Sequence, residues 1–372
     1  MSNPRIIISG GGTGGHIFPA LSIAEALRNL EPQADILFVG AQGRMEMERV
    51  PAAGYPIRGL PVAGLKRSFS AENLTLPFKV AKSLGMARRI LREFRPDVAV
   101  GVGGYASAPL LWTASRMKIP TLIQEQNSYA GLTNRILGKK ARRICVAYDR
   151  MERFFPEKKI LLTGNPVRGT IEKPTEEARR AAYAHFALEP GKPVILLIGG
   201  SLGSATLNRT AREWALRQKG NESPCQLLWQ CGNRFMKHIG SVEEATGGAP
   251  NVRLTEFIDR MDLAYAAADV ILSRAGAGTI SELCIVGKPV LFVPSPNVTE
   301  DHQRHNAMAL VEKGAAMMVS DAEAPRTAMG LAESLLAESE KREEMSRNIL
   351  SLARKNAAEI IAREVLALAS KA

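Results

Sequence analysis

Cysteine is scarce: Cys145, Cys225, Cys231 and Cys284 are scattered, and no two form a C-x-x-C pair. Disulfide scaffolds and structural zinc sites need denser cysteines at fixed spacings, so reduced thiols in a reducing compartment are expected instead. No run of ~18 apolar residues exists, so no membrane-spanning helix is expected. The opening MSNPRIIISGGG groups only three apolar residues before its glycines. A secretory leader needs a longer apolar core, so the chain is expected to stay in the cytoplasm. Aromatic residues make up 5%. That is too few for the stacking platforms of a nucleic-acid binder, and no nucleic acid is expected as a partner. Asp-x-Asp is absent, and clustered carboxylates are what hold Mg²⁺ or Mn²⁺ on a diphosphate. Gly-Lys-Ser/Thr is absent too, so the glycine loops are not P-loops. No metal and no cofactor are expected.

What remains is an ordinary globular composition, 45% apolar and 23% charged over 372 residues. That length fits two domains at about 100–200 residues each. The net charge of +12 is one-sided: residues 1–164 hold 24 Lys and Arg against 12 Asp and Glu, and residues 165–372 hold 25 of each. A basic first half attracts anionic lipid or phosphorylated substrates, or simply keeps the surface soluble.

Short apolar runs alternate with helical stretches. In the first half they are Arg5–Ser9, Ile36–Val39, Val98–Val102, Thr121–Gln124, Arg143–Val146 and Ile160–Thr163. In the second half they are Val194–Ile198, Gln226–Trp229, Val252–Leu254, Val270–Leu272 and Val290–Phe292. Such runs predict parallel sheets covered on both faces, hence two Rossmann-like, doubly wound α/β domains. Asn165-Pro166 favours a turn and marks the boundary. The first domain is expected at 1–164 and the second at 165–355. Residues 328–369 read as helical.

Glycine-rich turns follow several of the strands. Gly10–His16 (GGGTGGH) follows the first, Gly101–Ser107 follows the run VAVGV, and Gly199–Ser204 follows the run VILLI. Glycine lets the backbone approach a ligand, and the N–H groups of the following helix favour anions. Gly10-x-Gly12-x-x-Gly15 matches a dinucleotide fingerprint formally, but the second strand runs into Gly40-Ala41-Gln42 with no acidic residue for a ribose. Turns of this kind in both halves predict a ligand cleft between two domains.

In the second half, Arg274–Glu282 (RAGAGTISE) forms a fourth strand–loop–helix anion site. Thr279 and Glu282 fit either a capping pair or a ligand pair, with Glu282 accepting from a vicinal diol. In Asp301–Ala307 (DHQRHNA), Gln303 both donates and accepts, which suits sugar hydroxyls. His302 and His305 lack the spacing of a zinc motif.

The stretches ISGGGTGGHIFPALSIAEAL, GVGGYASAP, QEQNSYAGLTNRIL, GNPVR, GGSLGS, SRAGAGTISEL and DHQRHNA, in that order, resemble the MurG glycosyltransferases. The resemblance implies the two-domain GT-B fold and a reaction of peptidoglycan synthesis. That reaction is the inverting transfer of N-acetylglucosamine from UDP to the muramyl 4-hydroxyl of lipid I, giving lipid II. It implies donor contacts by Arg168, Ser201, Ile258 (backbone to uracil), Ala277, Gly278, Thr279, Glu282 (ribose) and Gln303. It places Thr13, Gly14, Gly15, His16, Tyr105, Glu125 and Asn127 on the acceptor side, and it returns the C-terminal helix, about 356–372, to the first domain.

His16 is the first candidate for general base, since imidazole titrates near neutrality and a helix start favours its neutral form. The alternative is a His that only hydrogen-bonds the loop or the acceptor phosphate. Glu125 is the second candidate. Arg168 and the glycine turns would stabilise the leaving diphosphate. A lipid-linked acceptor calls for an anionic membrane surface on the cytoplasmic face. The window 65–95 holds eight basic and two acidic residues. Leu74, Leu76 and Phe78, ringed by Lys66, Arg67, Lys79 and Lys82, read as an interfacial patch or as core. Val80, Leu84, Ala87, Leu91 and Phe94 read as a core-facing stripe. Other readings are a galactolipid synthase, a UDP-N-acetylglucosamine epimerase and a non-catalytic nucleotide-sugar-binding protein.

Overall fold

The computed structural model describes residues 3–12, 14–62, 76–104, 106–167, 169–200, 202–218, 223–238 and 241–371. The chain divides into two compact units, Met1–Arg168 with Arg354–Ala372, and Gly169–Ala353.

The first unit runs β1 (Arg5–Ser9), α1 (Gly14–Leu30), β2 (Asp35–Ala41), α2 (Glu46–Ala52), β3 (Ile57–Leu60), α3 (Leu76–Phe94), β4 (Val98–Gly101), α4 (Ser107–Arg116), β5 (Thr121–Glu125), α5 (Leu132–Gly138), β6 (Arg143–Val146) and β7 (Ile160–Leu162). These strands form one parallel sheet in the order β3-β2-β1-β4-β5-β6-β7. The period of two sends alternate residues of β1 into different cores. Ile6 and Ile8 pack with Ala20, Ile23 and Leu27 of α1. Ile7 packs on the other face with Ile90, Leu110 and Leu111. Both faces are covered, so Ile6, Ile7 and Ile8 form an unbroken apolar run.

The second unit runs α6 (Glu176–His185), β8 (Val194–Ile198), α7 (Ala205–Arg217), β9 (Gln226–Gln230), α8 (Asn233–Met236), α9 (Val242–Thr246), β10 (Val252–Thr255), α10 (Met261–Ala267), β11 (Val270–Ser273), α11 (Ala277–Val286), β12 (Val290–Phe292), α12 (His302–Val311), β13 (Met317–Met318), α13 (Ala324–Ala337) and α14 (Ser339–Ser351). Its sheet is also parallel, in the order β10-β9-β8-β11-β12-β13. Ile195, Leu197, Trp214 and Trp229 anchor one of its cores.

The helical C-terminal stretch resolves into α13, α14 and α15 (Ala357–Ala369). Asn356 takes a left-handed φ of 61° just before α15. α15 lies on the first unit, where Ile361, Ala362 and Val365 join Ile6, Ile8, Ile23 and Leu27. Burial of Ile361 and Val365 stabilises that packing by roughly 1.5–3 kcal/mol each before entropy. Arg143 Nε pairs with Glu364 Oε2 at 2.8 Å on the same face.

Three details differ from the sequence reading. β3 and β13 were not anticipated, because IRGL is short and interrupted by Arg58 and β13 has only two residues. In α3 the buried apolar residues are Ala87, Ile90 and Leu91, whereas Val80 is 48% exposed, so the apolar stripe begins later than its spacing implied. Lys66, Arg67 and Leu74 lie outside the described residues, and Leu76 is described only as the first residue of α3.

Candidate active site

In a parallel sheet every strand ends at the same edge, and strand order reverses at a switch point where ligands bind. The reversal falls between β1 and β4 in the first unit, and between β8 and β11 in the second. The glycine turns found in the sequence follow those four strands.

In the first unit, the β1 and β4 turns are stitched together by Ser107. Its Oγ lies 2.9 Å from the Ser9 carbonyl and 2.8 Å from the Gly103 carbonyl. Gly103 and Gly104 have φ of 97° and 87°, where a side chain is strained. A Cβ on Gly103 would stand 2.6 Å from His16 Cδ2, so the turn packs directly against the imidazole. Gly14, Gly15 and His16 form the first turn of α1, which carries no acidic residue there. His16 is half-buried. Its Nδ1 lies 3.2 Å from the Gly11 carbonyl. A carbonyl only accepts, so Nδ1 donates and Nε2 is the acceptor nitrogen of the neutral ring.

Glu125 ends β5 and is 2% exposed. Oε1 accepts from Asn127 N at 3.0 Å and Asn127 Nδ2 at 3.2 Å. Oε2 accepts from Gly131 N at 3.2 Å and Asn134 Nδ2 at 2.9 Å. Burial raises the Glu125 pKa above the usual carboxylate range, and these donors oppose that rise. Both oxygens thus organise loop 126–131 and place Asn127. Beside them, Gln126 Nε2 donates to the Val102 carbonyl, and Gln124 Nε2 donates to Asn165 Oδ1 at 2.8 Å.

In the second unit, Gly200 and Gly203 of the β8 turn have φ of 83° and 76°. Ser204 caps α7, accepting from Leu207 N at 3.3 Å. Arg274, at the end of β11, ties this turn down: Nη2 donates to Ser204 Oγ at 2.6 Å and Nη1 to the Val293 carbonyl at 2.8 Å. Nη1 also pairs with Asp321.

Helix α11 starts at Ala277, and its cap residue, Gly276, supplies no side-chain acceptor. A helix start of this kind, with glycine at its cap and Ala277, Gly278 and Thr279 in its first turn, lets an anion approach the backbone closely. A Cβ on Gly278 would meet nothing within 4 Å. Glu282 is not the partner of a capping Thr279. It lies deeper in α11, 8% exposed, and accepts from the Tyr265 hydroxyl at 2.9 Å.

Gln303, in the first turn of α12, accepts from Ser295 N at 2.9 Å through Oε1. Its NH₂ is then the end that can donate to a hydroxyl. Two successive non-glycine residues, Glu300 and Asp301, take left-handed φ of 56° and 51° ahead of α12. Strain of that kind costs about 1–3 kcal/mol per residue and clusters at ligand sites. Ile258 has a buried side chain in the loop after β10.

Thr13, Tyr105, Arg168 and Ser201 lie outside the described residues. Sequence reasoning missed Glu46, Asn134 and Tyr265. Glu46 sits in the charged string RMEMER and reads as solvated, yet it is fully buried. Tyr265 carries no motif, and only its partner across the fold marks it.

The family model described as "Glycosyltransferase family 28 N-terminal domain" matches residues 6–146, and "Glycosyltransferase family 28 C-terminal domain" matches residues 194–363. A protein of Bacteroides fragilis is 54% identical over 369 residues, covering 99% of this chain and 96% of its own. A protein of Bacteroides thetaiotaomicron is 54% identical over 365 residues, covering 98% of each. Both are named UDP-N-acetylglucosamine–N-acetylmuramyl-(pentapeptide) pyrophosphoryl-undecaprenol N-acetylglucosamine transferase. Among solved structures, MurG of Acinetobacter baumannii superposes with a TM-score of 0.77 at 27% identity, covering 98% of this chain and all of that one.

Proposed function

Because the chain belongs to glycosyltransferase family 28, and within it to the MurG N-acetylglucosamine transferases, we propose that it moves N-acetylglucosamine from UDP onto the 4-hydroxyl of undecaprenyl-pyrophosphoryl-N-acetylmuramyl-pentapeptide, with inversion at the sugar. It is a UDP-N-acetylglucosamine-dependent glycosyltransferase of GT-B fold that makes the lipid-linked disaccharide of peptidoglycan. The observation that carries this reading is 54% identity over 99% of the chain to a transferase of that name.

The second unit, with Arg168 just before it, holds the donor. Glu282, oriented by Tyr265, accepts from the ribose diol. The Ile258 backbone reads uracil, and Gln303 donates to a sugar hydroxyl. The first turn of α11 (Ala277, Gly278, Thr279), with Arg168 and Ser201, meets the diphosphate. These fixed dipoles stabilise charge as it moves onto the leaving phosphate.

The first unit, with its C-terminal helix, receives the acceptor along Thr13, Gly14, Gly15, Tyr105 and Asn127. His16 takes the proton of the attacking hydroxyl at Nε2 while Gly11 holds Nδ1–H. Glu125 is the weaker base candidate, since both its oxygens already accept N–H groups.

Turnover of UDP-N-acetylglucosamine against UDP-galactose, with the lipid acceptor, tests the reaction. His16→Ala tests the base, with an expected loss of ~10²–10⁴-fold. Undiminished turnover in that variant removes His16 from the role.

No helix among the described residues is long and apolar enough to cross a membrane. The enzyme docks peripherally on the anionic cytoplasmic face through the start of α3. There Phe78 is 79% exposed beside the exposed Val80, Lys79 and Lys82. Each basic residue near such a surface adds about 1 kcal/mol. Co-sedimentation with phosphatidylglycerol vesicles should fall steeply with salt, and salt-independent binding would count against this patch.

A further inference from the structure

Glu46 begins α2 and is completely buried. Its two oxygens accept from two backbone N–H groups: Oε2 from Gly12 N at 3.0 Å, and Oε1 from Ala41 N at 2.9 Å. The side chain fits only because two neighbours lack a Cβ. One added at Gly11 would run into the Glu46 carboxyl group, and one at Gly40 into its Cγ. Gly11 is also the residue whose carbonyl receives His16 Nδ1–H. A chain of contacts therefore links β2, through Glu46 and Gly12, to the Gly11 carbonyl and the imidazole.

We infer that Glu46 is a positioning residue for His16: it fixes the Gly11–Gly12 peptide so that the Gly11 carbonyl selects the Nδ1–H tautomer and turns Nε2 toward the acceptor. The Gly12 N–H, committed to Glu46, is then a structural donor and not part of the loop's anion-binding set. Glutamine cannot replace Glu46, because one of its two ends donates and would face an N–H group. This inference rests on the reading of His16 as the base.

The test uses the full chain carrying Glu46→Gln. Turnover should fall about ten- to a hundredfold, as expected for a small misplacement of a reacting group. KM for UDP-N-acetylglucosamine should stay within about twofold, because all the proposed donor residues but Arg168 lie in the other unit. Long-range ¹H–¹⁵N spectra of ¹⁵N-histidine protein read the tautomer directly, with His16→Ala identifying the signal among five histidines. Wild type should show His16 protonated on Nδ1, and Glu46→Gln should show a mixture. Wild-type turnover together with an unchanged tautomer in Glu46→Gln overturns the inference. Should that variant fail to fold, amide exchange in the wild type decides: Gly12 and Ala41 must both be protected, and rapid exchange at either refutes the clamp. If His16→Ala retains turnover, the base reading fails by itself, while the tautomer measurement still judges Glu46.

Discussion

The Tyr265 hydroxyl, buried in α10, donates a 2.9 Å hydrogen bond to Glu282 Oε2 in α11. One carboxylate oxygen is thereby oriented before any ligand arrives, and prepaid orientation raises affinity without a new ligand contact. Tyr265→Phe keeps the ring and removes only the donor. A hydrogen bond to a charged group is worth about 1.5–3 kcal/mol, so UDP affinity should drop by roughly tenfold or more. Calorimetry with UDP measures it, and unchanged affinity would mean that Tyr265 serves packing alone.

Arg274 is a structural tie in this fold. It joins Ser204, the Val293 carbonyl and Asp321, and Asp321 also receives the Thr206 hydroxyl at 2.8 Å. Its side chain is 13% exposed. Arg274→Ala leaves a partly buried carboxylate without its cation, at a cost of about 2–4 kcal/mol after allowing for residual solvent. The urea midpoint of the full chain should fall accordingly. Arg274→Lys should recover only part, since one ammonium cannot reach three acceptors in a fork.

Glu125 predicts a pH dependence with a definite sign. Burial raises its folded pKa above the ordinary value of 4.5. The native state then holds the proton more tightly than the unfolded chain does. The associated stability is complete below about 4.5 and is lost as pH rises through the folded value. Glu125→Gln has no such proton, so the stability difference between wild type and variant should shrink with rising pH. Urea titrations at a series of pH values test this, and a difference that grows would contradict the burial argument.

All four thiols are buried. Burial pushes Cys145 and Cys284 up to about 12, and Cys225 and Cys231 up to about 11. The thiolate is the nucleophile, so none should react with a disulfide reagent at pH 8 in the folded protein, and all should react in denaturant. Rapid labelling of a native thiol would reveal local opening at its strand or helix.

Much of this architecture was legible beforehand because it depends on short-range patterns. RIIIS, VAVGV and VILLI are short, β-branched apolar runs that suit strands buried on both faces, and the glycines directly after them suit turns that admit close approach. Those two signals located the parallel sheets and the switch-point loops, and the ordered motifs located the family. What short-range patterns could not carry was long-range pairing. The acid of RMEMER reads as one more solvated charge until β2 and the first glycine turn close over Glu46. Thr279 and Glu282 fit either a helix cap or a ligand pair until Tyr265 approaches Glu282 from α10. Glu125 reads only as a second candidate base, and the donors Asn127, Gly131 and Asn134 that surround it are invisible in the sequence. Local spacing records which backbone conformations a segment prefers. Whether a charged side chain meets water, a ligand or buried donors depends on segments distant in sequence, and that was decided only when the sheets assembled.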